Sequence, residues 1–139
     1  MVAWQDEMEV HMKRDMNLIR LLLLKLEEVE LDDEPFTFLD YSDLAIEGFD
    51  DKQAAYHLEL MVEAGLIDQG GSGNLDNDFM FKRLTWRGHD FVDAVRDEEV
   101  WRRTREGALA AGGWSLDLLR DLAKGYIRKK AADLCDVQL

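Results

Sequence analysis

Apolar residues in the first part of the chain recur with the spacing of one helical face. They follow one another at intervals of four, three, four and three positions: Met12, Met16, Ile19, Leu23 and Leu26. This period predicts an amphipathic helix over residues 13–30. Aromatic and β-favouring residues then predict a strand over 36–41, with an extension as far as Ile46 left open.

A second helix with clear end signals follows this strand. Asp50 or Asp51 is suited to cap its start by accepting backbone N–H bonds. An inner apolar stripe continues to about residue 64: Ala54, Leu58 and Met61. Gly65 then supplies the residue type that most readily adopts a left-handed stop, so the helix is expected to end there.

The residues after Gly65 have the pattern of a β-hairpin that leads into another helix. Residues 66–68 begin the hairpin, a glycine-rich polar stretch over 70–78 forms its tip, and 79–84 form the return strand. Thr85 is placed to cap a helix over 86–96. Helix, hairpin and helix in this order predict a winged helix-turn-helix.

Two further helices are predicted in the last third of the chain. The first spans 98–107, and Gly112 and Gly113 mark a break after it. Ser115 is suited to cap a final helix that runs to about residue 134. One apolar face of this helix is expected to pack on the first helix or on a second copy of the chain, so a homodimer stays open: Leu116, Leu119, Leu122 and Ile127.

The predicted fold class is mainly α with a small β-hairpin, arranged as a winged helix-turn-helix with additional C-terminal helices. Residues 1–11 form a flexible acidic leader, 12–97 the winged-helix core and 98–139 a C-terminal helical extension. Trp4 lies in the leader and is a candidate anchor for a protein contact. The other tryptophans are core candidates: Trp86, Trp101 and Trp114.

Length and composition are those of one self-sufficient domain. The chain has 139 residues, of which 47% are hydrophobic, so it has enough apolar surface to bury a core. Cys135 is the single cysteine and forms no internal disulfide. Neither a secretory signal nor an apolar run of membrane-spanning length is visible, which leads us to expect a cytoplasmic protein without a membrane partner.

Charge changes the functional picture, because the chain carries a net charge of −13. The first 50 residues hold 14 acidic and 4 basic side chains, whereas the last 39 hold 5 acidic and 8 basic ones. A negative field of this kind repels nucleic-acid phosphates. DNA binding is thus disfavoured by charge although the predicted fold suggests it.

Several blocks of sequence resemble an uncharacterised family, domain of unknown function 2513. They are residues 12–20, 55–58, 63–67, 84–91, 96–97 and 100–101. The resemblance covers about residues 12–125 and implies a winged-helix core and an origin in a phage or prophage. It implies no established activity.

The predicted fold selects one set of candidate DNA-binding residues. A reading helix over 51–64 would offer Lys52, Gln53 and His57, and the flanks of the hairpin would offer Lys82, Arg83 and Arg87. The stretch from residue 69 to residue 81 contains no lysine or arginine. The three cations beside the hairpin are expected to pair with nearby acids rather than with phosphates.

A second set of residues is suited to protein contacts. The acidic members are Glu59, Glu63, Asp76 and Asp78, and the basic members lie four apart on the final helix: Arg120, Lys124 and Arg128. Local pairing with Asp117 and Asp121 is the simpler interpretation of the basic set. A docking surface for an acidic partner, for nucleic acid or for a second copy is the alternative.

Residues for catalysis or metal binding do not form a recognisable pattern. His11, His57 and His89 lack metal-ligand spacing, and the glycines near residue 71 lack the lysine of a phosphate-binding loop. Asp76 and Asp78 offer oxygen ligands without the rest of a calcium loop. We expect no enzyme activity, no metal and no cofactor.

Two functions therefore follow from the sequence. The leading hypothesis is a non-catalytic winged-helix interaction protein of phage or mobile-element type, whose acidic surface binds and inhibits a basic partner that handles nucleic acid or defends a host. The alternative is a winged-helix DNA-binding transcriptional regulator.

Overall fold

The computed structural model describes three stretches of the chain: residues 13–31, 35–71 and 78–135. The described chain is mainly helical with a small amount of antiparallel strand, as the sequence predicts. Its contacts divide it into two compact units between Gly88 and His89. The leader with Trp4 lies outside the described residues, and the predicted domain limits stay predictions.

The first unit begins with helix α1, Met16–Glu27. It is shorter at both ends than the predicted 13–30, because Asp15 accepts the backbone N–H of Asn17 at 2.8 Å and sets the first turn there. The apolar period holds, since the buried face consists of Met16, Leu18, Ile19, Leu22, Leu23 and Leu26. This face contributes a large part of the core of the first unit.

Strand β1, Thr37–Asp40, confirms the strand predicted near 36–41. The extension to Ile46 is wrong, because a 3-10 helix over Tyr41–Leu44 follows directly. Asp40 causes the change of direction: its carboxylate accepts the Ser42 N–H at 2.9 Å and caps the 3-10 helix.

Helix α2, Asp51–Glu63, begins and ends where the sequence signals predict. Asp50 caps it in a reciprocal capping box, in which Gln53 accepts the Asp50 N–H at 2.9 Å. Gly65 has a φ of 79° and provides the left-handed stop. The buried stripe of α2 is Ala54, His57, Leu58 and Met61.

Three short strands complete the first unit: β2, Ile67–Asp68; β3, Asp78–Phe81; and β4, Arg83–Leu84. β2 pairs antiparallel with β4, which confirms the predicted hairpin, while β3 pairs antiparallel with β1. The return segment thus pairs with two different strands along its length. This order of helices and strands is consistent with a winged helix, and the part of the predicted hairpin tip over 72–77 lies outside the described residues.

Aspartates begin several of these elements. In each case the side chain accepts a backbone N–H of the first turn: Asp15, Asp40, Asp50 and Asp97. A carboxylate at the positive end of a helix is favoured both by hydrogen bonding and by the helix dipole. Some of the acidic residues therefore stabilise the starts of helices by accepting backbone hydrogen bonds.

Three helices follow the hairpin: α3, Trp86–Val95; α4, Glu98–Ala111; and α5, Leu116–Cys135. α3 runs across the division between the units. α4 extends four residues beyond the predicted end at 107 and stops at Gly112, whose φ is 86°. Ser115 accepts the Leu118 N–H at 3.0 Å, as predicted for the start of α5.

Within the second unit, α5 packs on α4. Leu119 and Ala123 of α5 are fully buried, and Gly107 of α4 leaves room for Tyr126 and Leu122. The sequence predicts that α5 packs on α1 or on a second copy, and it does not predict α4 as the partner. The reason is that helical periodicity identifies an apolar face but not the surface that covers it. Ile127 belongs to the predicted face yet remains 37% exposed.

Gly88, at the start of α3, is held against the backbone that follows α2. Its N–H donates to the Thr85 hydroxyl at 3.0 Å, and Thr85 in turn donates that hydroxyl to the Gly65 carbonyl. A Cβ at Gly88 would collide with the carbonyl oxygen of Leu66. No side chain fits at this position unless the backbone moves.

We predict that Gly88→Ala lowers the free energy of unfolding by about 2 kcal/mol, because an overpacked site forces a backbone shift. Gly125→Ala is the matched control, since it adds the same methyl group to a helix in open space. That change should stabilise the chain by about 0.5–1 kcal/mol, because glycine is a poor helix former. Urea unfolding of both variants checks the pair, and equal effects would contradict the close approach at Gly88.

Candidate functional site

The outer face of α2, which would read DNA in a winged helix, is acidic. Lys52 is exposed at its start, and Glu59 and Glu63 are exposed near its end. With the exposed Asp51, one lysine stands among three carboxylates. A helix that follows a phosphate backbone needs the opposite balance.

His57, predicted as a candidate base-reading residue, is 1% exposed and faces the interior. Its Nε2 accepts the N–H of Asp15 at 2.8 Å, so Nδ1 carries the proton and donates to the Gln53 carbonyl at 2.7 Å. Both ring nitrogens are therefore bound to the backbone and cannot reach a base edge. Gln53, the neighbouring candidate, uses its side-chain oxygen in the capping box.

The cations beside the hairpin have different surroundings. Arg83 lies opposite Asp68 in the β2–β4 register, with its Nε 3.3 Å from the Asp68 carboxylate. The side chain of Lys82 is exposed, lies over Gly70 and makes no ion pair with a described residue. Arg87 is exposed in the first turn of α3.

Acidic side chains from three elements gather around Tyr41. Asp40 at the end of β1 is directly opposite Asp78 of β3 in the strand register. Burial raises the pKa of Tyr41 above its usual 10.0, and the negative charges of Glu59 on α2 and of Asp78 raise it further. These residues, Asp40, Tyr41, Glu59 and Asp78, are called the Tyr41 patch.

Asp40 keeps its charge within this patch. The backbone N–H of Ser42 and then the Ser42 side chain hold the pKa of Asp40 below its usual value of 3.8. Like charges opposite each other on neighbouring strands are unfavourable. The Asp40–Asp78 register is thus an arrangement that the fold tolerates rather than one that stabilises it.

Sequence reasoning had selected Glu59 and Asp78 as partner-binding residues but had not foreseen Asp40 or Tyr41. Only the register of β1 with β3 brings Asp40 to Asp78, and no local motif encodes that register. Of the other acidic candidates, Glu63 is exposed on α2, and Asp76 lies outside the described residues.

The basic candidates on α5 do not form one free surface. Arg120 pairs with Asp117 at 3.7 Å, as the simpler interpretation predicts, and it also pairs with the adjacent Asp121 at 3.2 Å. Lys124 does not pair with Asp121; it reaches Asp90 on α3, with Nζ 3.0 Å from a carboxylate oxygen. Arg128 is exposed and makes no ion pair within the part of the chain that the structure describes.

Trp86 is the main departure from the predicted core. Trp101 is 4% exposed, as expected of a core residue, and Trp114 is half-buried, but Trp86 is 86% exposed. The core assignment of Trp86 is wrong, because this side chain occupies the first position of α3, which faces solvent.

Within residues 13–31, 35–71 and 78–135, no three His, Cys, Asp or Glu side chains are grouped so that they could hold a metal ion. None of the helices described there has the length and apolar character needed to cross a membrane.

Comparison with known proteins places the chain in a family. The family model described as Hypothetical protein (DUF2513) matches residues 13–114. The chain belongs to the DUF2513 family. An uncharacterized protein of Haemophilus influenzae (strain ATCC 51907 / DSM 11121 / KW20 / Rd) is 32% identical to this DUF2513 protein over 128 residues, covering 87% of the chain and 100% of that relative. No solved structure matches this chain.

The matched region of this DUF2513 protein begins just before α1 and ends between α4 and α5. It contains every residue of the Tyr41 patch as well as the hairpin with its flanking cations. Helix α5, with Arg120, Lys124 and Arg128, lies beyond the match. Both the Tyr41 patch and the cations beside the hairpin therefore fall within the family region.

We predict a pH dependence that originates at Tyr41. Its pKa is raised in the folded state, so the stabilisation is complete below the usual value of 10.0 and is lost as the pH rises through the folded value. Urea unfolding between about pH 9 and pH 11 should therefore show a smaller loss of stability in Tyr41→Phe than in the wild type. Glu59→Gln should lower the pH at which the Tyr41 phenolate absorbs, and an unchanged titration would contradict the geometry of the patch.

Proposed function

We propose that this protein is a non-catalytic interaction protein that binds a basic partner through the Tyr41 patch. The observation that carries the proposal is that Asp40 faces Asp78 in the β1–β3 register while the 3-10 helix that begins at Tyr41 packs on α2, which carries Glu59. A continuous run of acids could simply be a solvated surface. Acids brought together from separate elements make a localised negative potential.

The carboxylates of the patch are available to a partner. Asp40, Glu59 and Asp78 make no ion pair with any described residue of the chain. A cation that reaches them replaces like-charge repulsion with attraction, so binding relieves an unfavourable arrangement. Tyr41 adds an aromatic face, which attracts an arginine guanidinium.

The partner that fits this surface is a protein segment rich in arginine or lysine. Charge complementarity of this kind mainly raises the rate of association and selects the partner. In the specific form of the proposal, the partner uses its basic site to contact nucleic acid, and this protein inhibits it by occupying that site. An origin in a phage or another mobile element, as the family resemblance implies, suits such an inhibitor.

We predict that the wild type binds a fluorescein-labelled oligo-arginine peptide at about 0.1 M salt, measured by fluorescence anisotropy. The double variant Glu59→Gln, Asp78→Asn should weaken binding on the order of tenfold, because it removes two of the charges that face the peptide. The matched control is Glu98→Gln, Asp133→Asn, which makes the same chemical change at two exposed acids of the second unit.

The control separates a localised site from the general charge of the protein. A weakening in the control equal to that in the patch variant would show that only net charge matters and would contradict the proposal. Circular dichroism of both variants verifies that they fold alike.

A DNA-binding transcriptional regulator is the second candidate. The strand pairing consistent with a winged helix favours it, together with the exposed Lys52, Lys82 and Arg87. Against it are the acidic face of α2, the buried His57 and the partial neutralisation of Arg83 by Asp68, which lies at its Nε. Too few cations remain for the several phosphate contacts that duplex binding needs.

We predict that random-sequence duplex DNA forms no complex with micromolar protein in a gel shift at about 0.15 M salt, because net charge and local surface both oppose it. Tight binding that weakens with salt and disappears in Arg83→Ala, Arg87→Ala would establish the regulator instead.

A further inference from the structure

Trp86 is the most exposed large hydrophobic residue of the described chain, at 86%. Tryptophan has the largest apolar surface of the side chains, and most of it is normally buried. The next most exposed large hydrophobic residue is Leu134, which is 76% exposed and lies close to the end of α5. Trp86 instead follows the hairpin directly, and residues shortly before and after it in the chain, Leu84 and Gly88, are buried.

The fold holds Trp86 outward. Leu84 before it is 4% exposed, and Gly88 after it is fitted against the Leu66 carbonyl. Thr85 links the two by capping α3 and by binding the Gly65 carbonyl. The backbone on which the indole stands is therefore fixed before any ligand arrives, which lowers the entropic cost of binding.

Three cations lie within four positions of this indole along the chain. The segment from residue 82 to residue 87 contains Lys82, Arg83 and Arg87 and no acidic residue. The ammonium group of Lys82 has no carboxylate partner among the described residues. Arg83 is 56% exposed and its Nε is directed to Asp68, so its remaining guanidinium donors are free to contact a second anion.

We propose that Lys82, Arg83, Trp86 and Arg87, together called the Trp86 patch, bind single-stranded nucleic acid. One unpaired base stacks on the indole of Trp86, and the phosphates next to that base lie against Lys82 and Arg83. A flat aromatic face among cations is the combination that single-strand binding proteins use, and every base has a face that can stack.

Stacking combined with positive charge favours a single strand over the other anionic polymers, namely duplex nucleic acid and acidic polypeptides. In a duplex both faces of each base are covered by its neighbours, so the indole gains nothing from it. An acidic polypeptide would meet the cations but has no planar base for Trp86. The net negative charge of the chain opposes both kinds of nucleic acid within a screening length of about 8 Å, and stacking on Trp86 is the favourable contribution that a duplex lacks.

This inference is independent of the proposed function, which uses the Tyr41 patch. The experiment measures the anisotropy of a fluorescein-labelled 15-nucleotide oligothymidine at about 0.05 M and 0.15 M salt. Trp86→Ala should weaken binding about tenfold or more, while Trp86→Phe should keep much of it because a phenyl ring also stacks. Lys82→Ala should reduce the salt dependence by about 0.7 of a log unit per log unit of salt.

Matched controls exclude a general effect of lost apolar or positive groups. Leu109→Ala removes another exposed apolar side chain, and Lys129→Ala removes an exposed lysine that has no ion pair within the described residues. Neither should change oligothymidine binding. Trp86→Ala should also unfold at the same urea concentration as the wild type, because so little of the indole is packed.

Three results would overturn the inference. One is the absence of binding at about 100 µM protein in 0.05 M salt, where electrostatic attraction is weakly screened. Another is equal binding by Trp86→Ala and the wild type. The third is competition by oligoglutamate or by duplex DNA that matches competition by unlabelled oligothymidine.

Discussion

The close approach of two backbone segments is the constraint on which the first unit depends. Gly65 and Leu66 leave α2, and Thr85 lies against them, because its hydroxyl donates to the Gly65 carbonyl and its N–H to the Leu66 carbonyl. The Gly88 N–H in turn donates to the Thr85 hydroxyl. Closing this junction also sets the register of β2 with β4. A glycine is needed because the packed partner is a main-chain carbonyl, which cannot change rotamer as a side chain would. The outward position of Trp86 follows from that contact.

Acidic residues perform two separate tasks in this fold. Those at the starts of elements, such as Asp15, Asp50 and Asp97, are bound to backbone N–H groups and stabilise local structure. Asp40 of the Tyr41 patch has both roles, because it caps the 3-10 helix and also faces Asp78, whereas Glu59 and Asp78 make no ion pair with a described residue. Overall net charge does not distinguish these roles. Hydrogen bonding does distinguish them, because Glu59 and Asp78 keep a negative charge that no described cation neutralises.

Local signals in the sequence predicted local structure well. The capping box at Asp50, the left-handed Gly65 and the Ser115 cap each involve residues within a few positions of one another, so their chemistry is visible in the sequence. Features that depend on distant partners were missed or misassigned. The turn after Asp40, the exposure of Trp86 and the packing of α5 on α4 are set by tertiary contacts. The candidate site had the same limit, because Glu59 and Asp78 were selected by charge whereas Asp40 and Tyr41 join them only through strand register.

His57 shows how a residue that suggests chemistry can serve a mechanical purpose. Its ring joins the amide that precedes α1 to a carbonyl inside α2, and the two backbone partners use both of its nitrogens. The imidazole thus resembles a cross-link between the start of α1 and the middle of α2, because Asp15 and His57 lie 42 positions apart along the chain. No lone pair is left for a metal or a substrate, and neither helix can move without breaking this bond. A histidine in that state reports on the docking of the helices, so its ring proton would serve as a spectroscopic marker for the assembly of the core.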